Sequence, residues 1–303
     1  MGKITMKDIA REAEVSVATV SYVLNNNEKE KINDETRERI LKIAKELNYI
    51  PNLAARTLVK KQSRLIGIIV VRDLKKENPW KKSFYNDFIN YLEDILNENG
   101  YHLIIMSIDI KKPQLDIILQ RELDAVFVID VEKEFFFKIS NTFTVPIVII
   151  DSYIEDTIFY KIVPDFEEAI NRAKKILGEE DVFIVTDRFN NSEIMNKIYA
   201  SADYSQKNIY IMDSIEGLEE FLKKNNRKKG IIINELIAVM ASRFINYDNL
   251  VTINTCGYSY LLPKNMKQIV FDNSYKAQIA FELISELQEY KYKAEKYTII
   301  KAN

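Results

Sequence analysis

The chain has 303 residues, a length that corresponds to about two domains. Hydrophobic residues make up 47% of the sequence and charged residues 29%, which is typical of a folded globular protein. It contains 7 glycines and only 1 cysteine and 1 histidine. Neither of the glycine-rich phosphate-binding motifs, G-x-G-x-x-G and G-x-x-x-x-G-K-[ST], occurs. These counts exclude a disulfide framework and zinc sites built from several cysteines and histidines. We therefore predict no metal, no cofactor and no catalytic residues.

The charge is unevenly distributed along the chain. Residues 1–64 contain 13 basic and 9 acidic side chains, giving a net charge of +4, whereas the remainder carries −6. A basic N-terminal segment on an acidic remainder suggests that this segment binds a polyanion. The N-terminus has no apolar signal segment, and the longest apolar runs are much shorter than a membrane span. We expect a cytoplasmic, reduced protein that does not bind a membrane.

The first part of the chain predicts helices only. Thr5 begins a capping-box spacing for a first helix, and Ser16 is placed to cap a second helix at 17–24. Two short helices joined by so tight a turn have the outline of a helix-turn-helix. Asn33 predicts the start of a third helix. Residues 53–58 predict a short helix that is too short to be stable unaided.

From Leu65 onward, short apolar runs alternate with amphipathic patterns. Near-continuous apolar strands that alternate with helices predict parallel sheets covered on both faces. Ten such strand-like runs favour two α/β lobes over a single sheet. Helices are predicted at 84–99, 164–177, 215–224, 235–245 and 275–290.

Two N-terminal motifs carry a family resemblance. The pattern V-S-x-x-T-V-S occupies residues 15–21, and L-N-Y-x-P-N occupies residues 47–52. Both resemble the DNA-binding headpiece of the lac repressor/purine repressor (LacI-type) family. Further along, LIGIIV, VPIVIID, IIINELIAVMA and CGYS resemble, in order, segments of that family's effector domain. The resemblance implies an all-α helix-turn-helix headpiece and an α/β body, with a two-lobed, periplasmic-binding-protein-like fold of parallel sheets.

The same resemblance implies three regions. Residues 1–51 would form the DNA-binding headpiece, 52–63 the hinge helix and linker, and 64–303 the effector-binding and dimerisation domain. In this family the second helix enters the major groove. The positions aimed at base edges would be Val17, Ala18 and Tyr22. The alternative is that Val17 and Ala18 are merely exposed helix surface.

Other side chains of the head have the chemistry of phosphate contacts, which set register without reading sequence. They are Thr5, Ser16, Thr19, Ser21, Asn25 and Tyr49. Ser16 is also interpretable as a helix cap alone. In the hinge helix, Ala55, Arg56 and Leu58 would contact the minor groove, with Leu58 as a wedge between bases. The alternative is that Leu58 is a core residue.

Effector-binding residues are expected at strand ends that face the cleft. The resemblance assigns Phe84, Tyr85, Asp151, Asn234, Glu235, Tyr258 and Asp272 to this role. The chain departs from the family because residues 191–199 lack an arginine that relatives often carry, and Ser259 replaces an aspartate. Arg188 lies nearby, without an assigned role. These departures leave open a ligand other than a free sugar, a protein co-regulator, or a degenerate cleft.

Together these features predict a dimeric, sequence-specific transcriptional repressor that binds a pseudo-palindromic operator. It would respond to a small-molecule effector, for which a sugar or a sugar derivative is one candidate. We expect a dimer because the chain ends soon after its last predicted strand. The alternatives are a regulator that does not respond to a small molecule, a ligand-binding module with a vestigial head, and an enzyme. No nucleophile adjoins His102 in sequence, and Cys256 has the character of a buried thiol, so an enzyme is disfavoured.

Overall fold

The computed structural model describes residues 4–24, 32–47, 49, 62–73, 79–111, 121–202, 206–289, 291 and 293–303. The predicted contact residues Asn25, Ala55, Arg56 and Leu58 lie outside the described residues, as do the side chains of Ser21 and Tyr22. The chain forms two compact units, Met1–Ser63 and Arg64–Asn303.

In its described part, the first unit consists of helices α1 (Met6–Glu12), α2 (Val17–Leu24) and α3 (Asp34–Glu46). The predicted helix starts are confirmed by their hydrogen bonds. Thr5 N–H donates to the Asp8 carboxylate (2.9 Å), and Ser16 Oγ accepts from the backbone N–H of Thr19 (3.0 Å). Asn33 Oδ1 caps α3 in the same way. Side-chain caps of this kind satisfy N–H groups that the helix leaves without a partner.

A small apolar core holds these helices together. Ile9 of α1, Val20 of α2 and Ile40 of α3 are each 0% exposed and belong to one buried cluster. The turn between α1 and α2 uses Glu14 in the left-handed region, with φ of 52°. Along α2 the buried residues begin at Val20, and the start of the helix lies outside the core.

The second unit is built on parallel strands. Its described strands are β1 (Leu65–Arg72), β2 (His102–Asp109), β3 (Ala125–Ile129), β4 (Ile147–Ile150), β5 (Tyr160–Pro164), β6 (Phe183–Thr186), β7 (Ile209–Ile211), β8 (Gly230–Ile233), β9 (Leu250–Asn254), β10 (Lys267–Val270) and β11 (Tyr297–Ile300). Among these described strands, a six-stranded sheet has the order β11-β5-β4-β3-β1-β2, and a five-stranded sheet has the order β10-β9-β8-β6-β7. We call the first sheet with its helices lobe 1 and the second lobe 2.

Helices cover both faces of each sheet, as the apolar strands require. Those described are α4 (Pro79–Lys82), α5 (Asn86–Glu98), α6 (Lys133–Ser140), α7 (Phe166–Leu177), α8 (Ser192–Ala200), α9 (Ile215–Lys224), α10 (Glu235–Ala241) and α11 (Asn273–Gln288). In lobe 1, α5 and α11 cover one face and α6 the other. In lobe 2, α7 and α8 cover one face of the sheet, and α9 and α10 cover the other. Among the described helices, none has both the length and the apolar character needed to cross a membrane.

In the described chain, the polypeptide passes between the lobes at three places. It leaves β5 for α7 at residues 164–166 and returns from β10 to α11 at 271–273. Beyond β11, Asn303 exchanges backbone hydrogen bonds with Val270 of lobe 2 (2.8 and 3.3 Å). These crossings bring the carboxyl ends of strands from both sheets to the junction of the lobes.

All ten predicted strands are confirmed, but β5 was missed. Its sequence contains Lys161 and ends at Pro164, so it lacks the apolar run of its neighbours. Lys161 is nevertheless fully buried, because its ammonium group pairs with the Asp156 carboxylate at 2.7 Å. The five predicted helices are present. Helix α9 has the predicted bounds, and the other four have shifted ends: α10, for example, stops at Ala241 rather than at 245. Helix α8 was not predicted.

Candidate DNA-binding head and effector cleft

The start of α2 exposes two of the three residues that the family resemblance assigns to the major groove. Ser16 and Ala18 are exposed, and Val17 is 42% exposed although its side chain is apolar. Thr19 Oγ1 lies 2.8 Å from Ser16 Oγ, so both hydroxyls sit at the N-terminus of this helix. Exposed apolar groups beside polar ones suit a surface that meets both thymine methyls and phosphates.

The other predicted DNA-contact residues with described side chains lie in different environments. Thr5 is exposed and its hydroxyl donates to the Asp8 carboxylate (2.7 Å). Tyr49 is half-buried against the core of the first unit, and its backbone N–H donates to Ala44 (2.9 Å). Tyr49 therefore packs on the head with part of its side chain still accessible.

A cleft of about 450 Å³ opens between the lobes, at the carboxyl ends of β1, β6 and β7. We call it the outer cleft. Its walls combine apolar strand residues with charged and amide groups. The lining residues are Val70, Val71, Arg72, Asp73, Lys81, Tyr85, Asp187, Arg188, Asn190, Ile211, Met212 and Asp213. This volume is in the usual range for small-molecule sites.

Asp187 is the most enclosed acid of the outer cleft, at 3% exposure. One carboxylate oxygen accepts from the indole N–H of Trp80 in lobe 1 (3.0 Å), and the other from the Asn234 amide (2.8 Å). Burial raises the pKa of Asp187, and the positive charge of Lys81 acts in the opposite direction. Because each carboxylate oxygen has two lone pairs, Asp187 retains capacity to accept from a ligand.

Lys81 brings a positive charge into the same cleft. Its ammonium group lies 3.3 Å from an Asp130 carboxylate oxygen. It also lies over the rings of Phe84 and Phe189, at 5.0 and 4.8 Å from their centroids. Aromatic faces attract cations, so these rings fix the ammonium group as well as enclosing it.

Deeper between the lobes lies a second, much smaller space of about 20 Å³, which we call the inner compartment. Aromatic rings fill most of this region, including those of Phe84 and Phe166. Within it, the Lys276 ammonium group lies 2.6 Å from both oxygens of Asp151. Burial raises the pKa of Asp151, and Lys276 lowers it. The inner compartment is therefore a packed core around an ion pair.

Comparison with known proteins identifies the head. Residues 5–52 match the family described as bacterial regulatory proteins, lacI family. The head belongs to this family. Catabolite control protein A of Staphylococcus aureus is 31% identical over 76% of this chain and 65% of that protein. The probable HTH-type transcriptional repressor ExuR of Bacillus subtilis is 28% identical over 97% of this chain and 94% of that protein.

Solved structures confirm the fold of the whole chain. A lac repressor dimer bound to operator and an anti-inducer superposes with a TM-score of 0.76 at 16% identity, covering 100% of this chain and 97% of that one. The predicted fold, a helix-turn-helix head with a two-lobed α/β body, is confirmed. With a lacI-family head, the protein is a DNA-binding transcriptional regulator.

The expected effector residues of this regulator do not converge on one space. Tyr85 lines both the outer cleft and the inner compartment. Phe84 and Asp151 line only the inner compartment, and Asn234 reaches the outer cleft through Asp187. Burial and the nearby charge of Asp130 raise the pKa of Tyr85 well above its usual value.

The other three expected residues are engaged locally. Glu235 is 0% exposed, and its carboxylate accepts from the backbone N–H groups of Thr255, Cys256 and Tyr258 at 2.8–3.2 Å. Asp272 caps α11, and the hydrogen bond from the Ser274 hydroxyl holds its pKa below the usual value. Tyr258 is half-buried, with its ring 6.3 Å from that of Tyr260.

Sequence reasoning missed four polar residues that line the outer cleft or hold its walls. They are Trp80, Lys81, Asp187 and Asn190. Asp187 follows β6 as Asp151 follows β4, so the same strand-end signal would have found it. Trp80 and Lys81 lie on a four-residue helix, for which the sequence carries no periodic pattern.

Proposed function

We propose that this regulator is a dimeric repressor whose operator affinity is controlled by a small molecule bound in the outer cleft. The observation that carries this proposal is the cleft itself, with an enclosed acceptor, Asp187, and cationic donors, Lys81 and Arg188, around about 450 Å³. The name of ExuR, a relative over almost the full chain, supports a repressor. Because its target is operator DNA, we place the protein in the cytoplasm.

For the head, we propose that α2 reads the major groove through Val17, Ala18 and Tyr22. Thr5, Ser16, Thr19, Ser21, Asn25 and Tyr49 would hold the phosphates, and Ala55, Arg56 and Leu58 would contact the minor groove. Residues 1–51, 52–63 and 64–303 would then be headpiece, hinge and effector domain. The exposed apolar start of α2 supports this assignment, because its side chains are accessible to thymine methyl groups in the major groove.

For the cleft, we propose a ligand rich in hydroxyl groups. Asp187 accepts hydrogen bonds and cannot donate any while ionised, so it selects hydroxyl or amine donors. Arg188 is exposed at the cleft wall, and both its guanidinium group and the Lys81 ammonium group only donate. A molecule with several hydroxyls satisfies both requirements, since each hydroxyl donates and accepts.

Trp80 provides the test, because it is the only tryptophan of the chain and its indole bonds Asp187 in the cleft. We would titrate the full-length protein with sugars, sugar phosphates, sugar acids, nucleobases and amino acids while recording Trp80 emission and melting temperature. Asp187→Asn should reduce the affinity of any hit by at least about tenfold, the loss of about one charged hydrogen bond. Asp248→Asn, an exposed aspartate on a turn, is the matched control.

Operator binding is tested separately by selecting double-stranded DNA from a random pool. We expect a pseudo-palindromic site bound at about 10⁻⁸ M or tighter, with an affinity that falls as salt rises. Failure to select any sequence would refute the DNA-binding proposal. A selected operator with no response from any molecule in the panel would instead favour control by a protein co-regulator.

A further inference from the structure

Hydrogen bonds join the two lobes beside the outer cleft. Three consecutive residues of lobe 2, Asn190 to Ser192, lead into helix α8 and meet the loop that follows β3 of lobe 1. The backbone N–H groups of Asn190 and Asn191 donate to Asp130 Oδ1 at 2.7 and 3.2 Å. The N–H of Ser192 donates to Glu132 Oε2 at 2.7 Å. Two carboxylates of one lobe therefore bind the N-terminus of a helix in the other.

This arrangement satisfies a general need of helix ends. The first N–H groups of a helix have no partner within it, and their dipoles attract negative charge. Such termini often bind anionic ligands. In this chain, Asp130 and Glu132 supply the negative charge, so the N-terminus of α8 is already occupied by lobe 1.

The side chains of the same segment extend the contact. The Asn190 amide donates to the backbone carbonyls of Val71 (2.8 Å) and Asp130 (3.0 Å). The Asn191 amide donates to the carbonyls of Val131 and Tyr153, both at 3.1 Å, and its oxygen accepts from the N–H of Tyr153 at 3.1 Å. Asn191 thus bonds two separate loops of lobe 1 and caps α8 at the same time.

Burial distinguishes these contacts from surface hydrogen bonds. Asp130 is 0% exposed and Asn191 is 1% exposed, whereas Ser192 at the rim is exposed. Buried polar groups contribute most when every donor and acceptor has a partner. Here the Asp130 carboxylate serves two backbone N–H groups on one oxygen and Lys81 on the other.

We propose that Asp130 and Glu132, together with residues 190–192, form a latch that holds the two lobes closed without an effector. The consequence for regulation rests on the proposed function. A ligand acts only through its different affinity for two states, and the latch makes the closed state the resting one. An effector that fits the outer cleft with the latch intact reinforces closure, and one that opens the lobes must displace these carboxylates.

The test measures the distance between the lobes in the unliganded protein, and needs neither DNA nor effector. Spin labels would be attached through Lys138→Cys on α6 of lobe 1 and Lys223→Cys on α9 of lobe 2, both exposed positions. The native Cys256 is 0% exposed and its pKa is raised well above the usual value by burial, so it reacts poorly. Pulsed electron paramagnetic resonance then gives the distribution of interlobe distances.

We expect one narrow distance population in the parent protein. The isosteric pair Asp130→Asn with Glu132→Gln should add a longer population of at least about a third of the molecules, since neutral amides bind a helix N-terminus less strongly than carboxylates. Asn191→Asp is a second variant that should also add the longer population. It retains a good helix cap and places a second carboxylate beside Asp130. Glu134→Gln, exposed on α6 near the latch, is the control and should leave the distribution unchanged.

A parent protein that already samples long distances would overturn the proposal. So would latch variants that remain folded, by melting and circular dichroism, with an unchanged narrow population. These results differ from failure of the proposed function, which would appear as absent operator or effector binding whatever the interlobe distance.

Discussion

The buried ion pair between Asp151 and Lys276 gives a quantitative prediction for the effector domain. The Lys276 ammonium group lies 2.6 Å from the carboxylate, and the two side chains are only 9% and 4% exposed. At an effective dielectric constant of about 20, this distance corresponds to a gross attraction of about 6 kcal/mol. Removing one partner leaves a buried, unpaired charge, which costs about 3–5 kcal/mol. We expect Lys276→Met to reduce the free energy of unfolding by about that amount.

The measurement is urea denaturation followed by the emission of Trp80, the only tryptophan, which lies in the effector domain. Gln278→Met introduces the same residue at an exposed position of the same helix, and should change stability by less than about 0.5 kcal/mol. Combining Lys276→Met with Asp151→Asn should restore most of the loss, since the remaining buried group is then neutral. A single variant that loses no more than its control would refute the reasoning.

The loss should also depend on pH in a definite direction. Burial already raises the pKa of Asp151, and Lys276 is the largest influence that lowers it. Without Lys276 the pKa of Asp151 rises further, so the folded state binds a proton more readily than the unfolded state. Stability of the variant must therefore increase as pH falls from neutral towards the ordinary pKa range of an aspartate, and the deficit should shrink over this range. A deficit that is constant over this range would mean that lost packing, rather than charge, causes it.

Three further predictions concern the head and the loop that binds Glu235. Ser16→Ala removes the cap of α2 and should destabilise the head by about 1 kcal/mol, measured by circular dichroism melting of the full chain. Val17→Glu should abolish operator binding in an anisotropy assay while leaving the melting curve unchanged, because Val17 is exposed; Val17→Ala is its control. Glu235→Gln should cost about 1.5–3 kcal/mol in urea denaturation, since the carboxylate binds three backbone N–H groups.

Local patterns were sufficient to predict most of the fold. The strands of both lobes are continuous apolar runs, and the caps at Ser16 and Asn33 lie within three residues of the groups they bind. Such signals are contained in a short stretch of sequence. Strand β5 lacked one, because the charge of Lys161 is neutralised by Asp156 only after the loop between them has folded back. Its burial depends on that tertiary contact rather than on composition.

The candidate site was harder to predict because a polar strand end can face a ligand or bind its own chain. Glu235 and Asp187 both follow strands and are both buried, yet the first is engaged by a neighbouring loop and the second lines the outer cleft. The difference is set by which loops approach each strand end, and the sequence alone does not give that arrangement. For the same reason, the junction of Asp130 with residues 190–192 is visible only once both lobes are folded.

Three residues of the interlobe region stand at turns where glycine would be the usual choice, and the chain has few glycines. They are Asp130, Asp151 and Asn234. Each is the first residue after a parallel strand, and each has a positive φ, of 52°, 51° and 95°. Glycine adopts such conformations most readily, but it offers no side chain. Aspartate and asparagine tolerate them, and all three side chains make long-range contacts, with Asn190, Lys276 and Asp187 respectively.

With only 7 glycines in 303 residues, the chain uses one residue both to turn sharply and to bind a distant element. These two roles are separable at Asp130. Glycine there would keep the turn and remove the carboxylate, whereas alanine would remove the carboxylate and add about 1–2 kcal/mol of backbone strain. If the latch depends on the carboxylate, both variants open the lobes to a similar extent and differ only in stability. If it depends on the turn, only the alanine variant opens them.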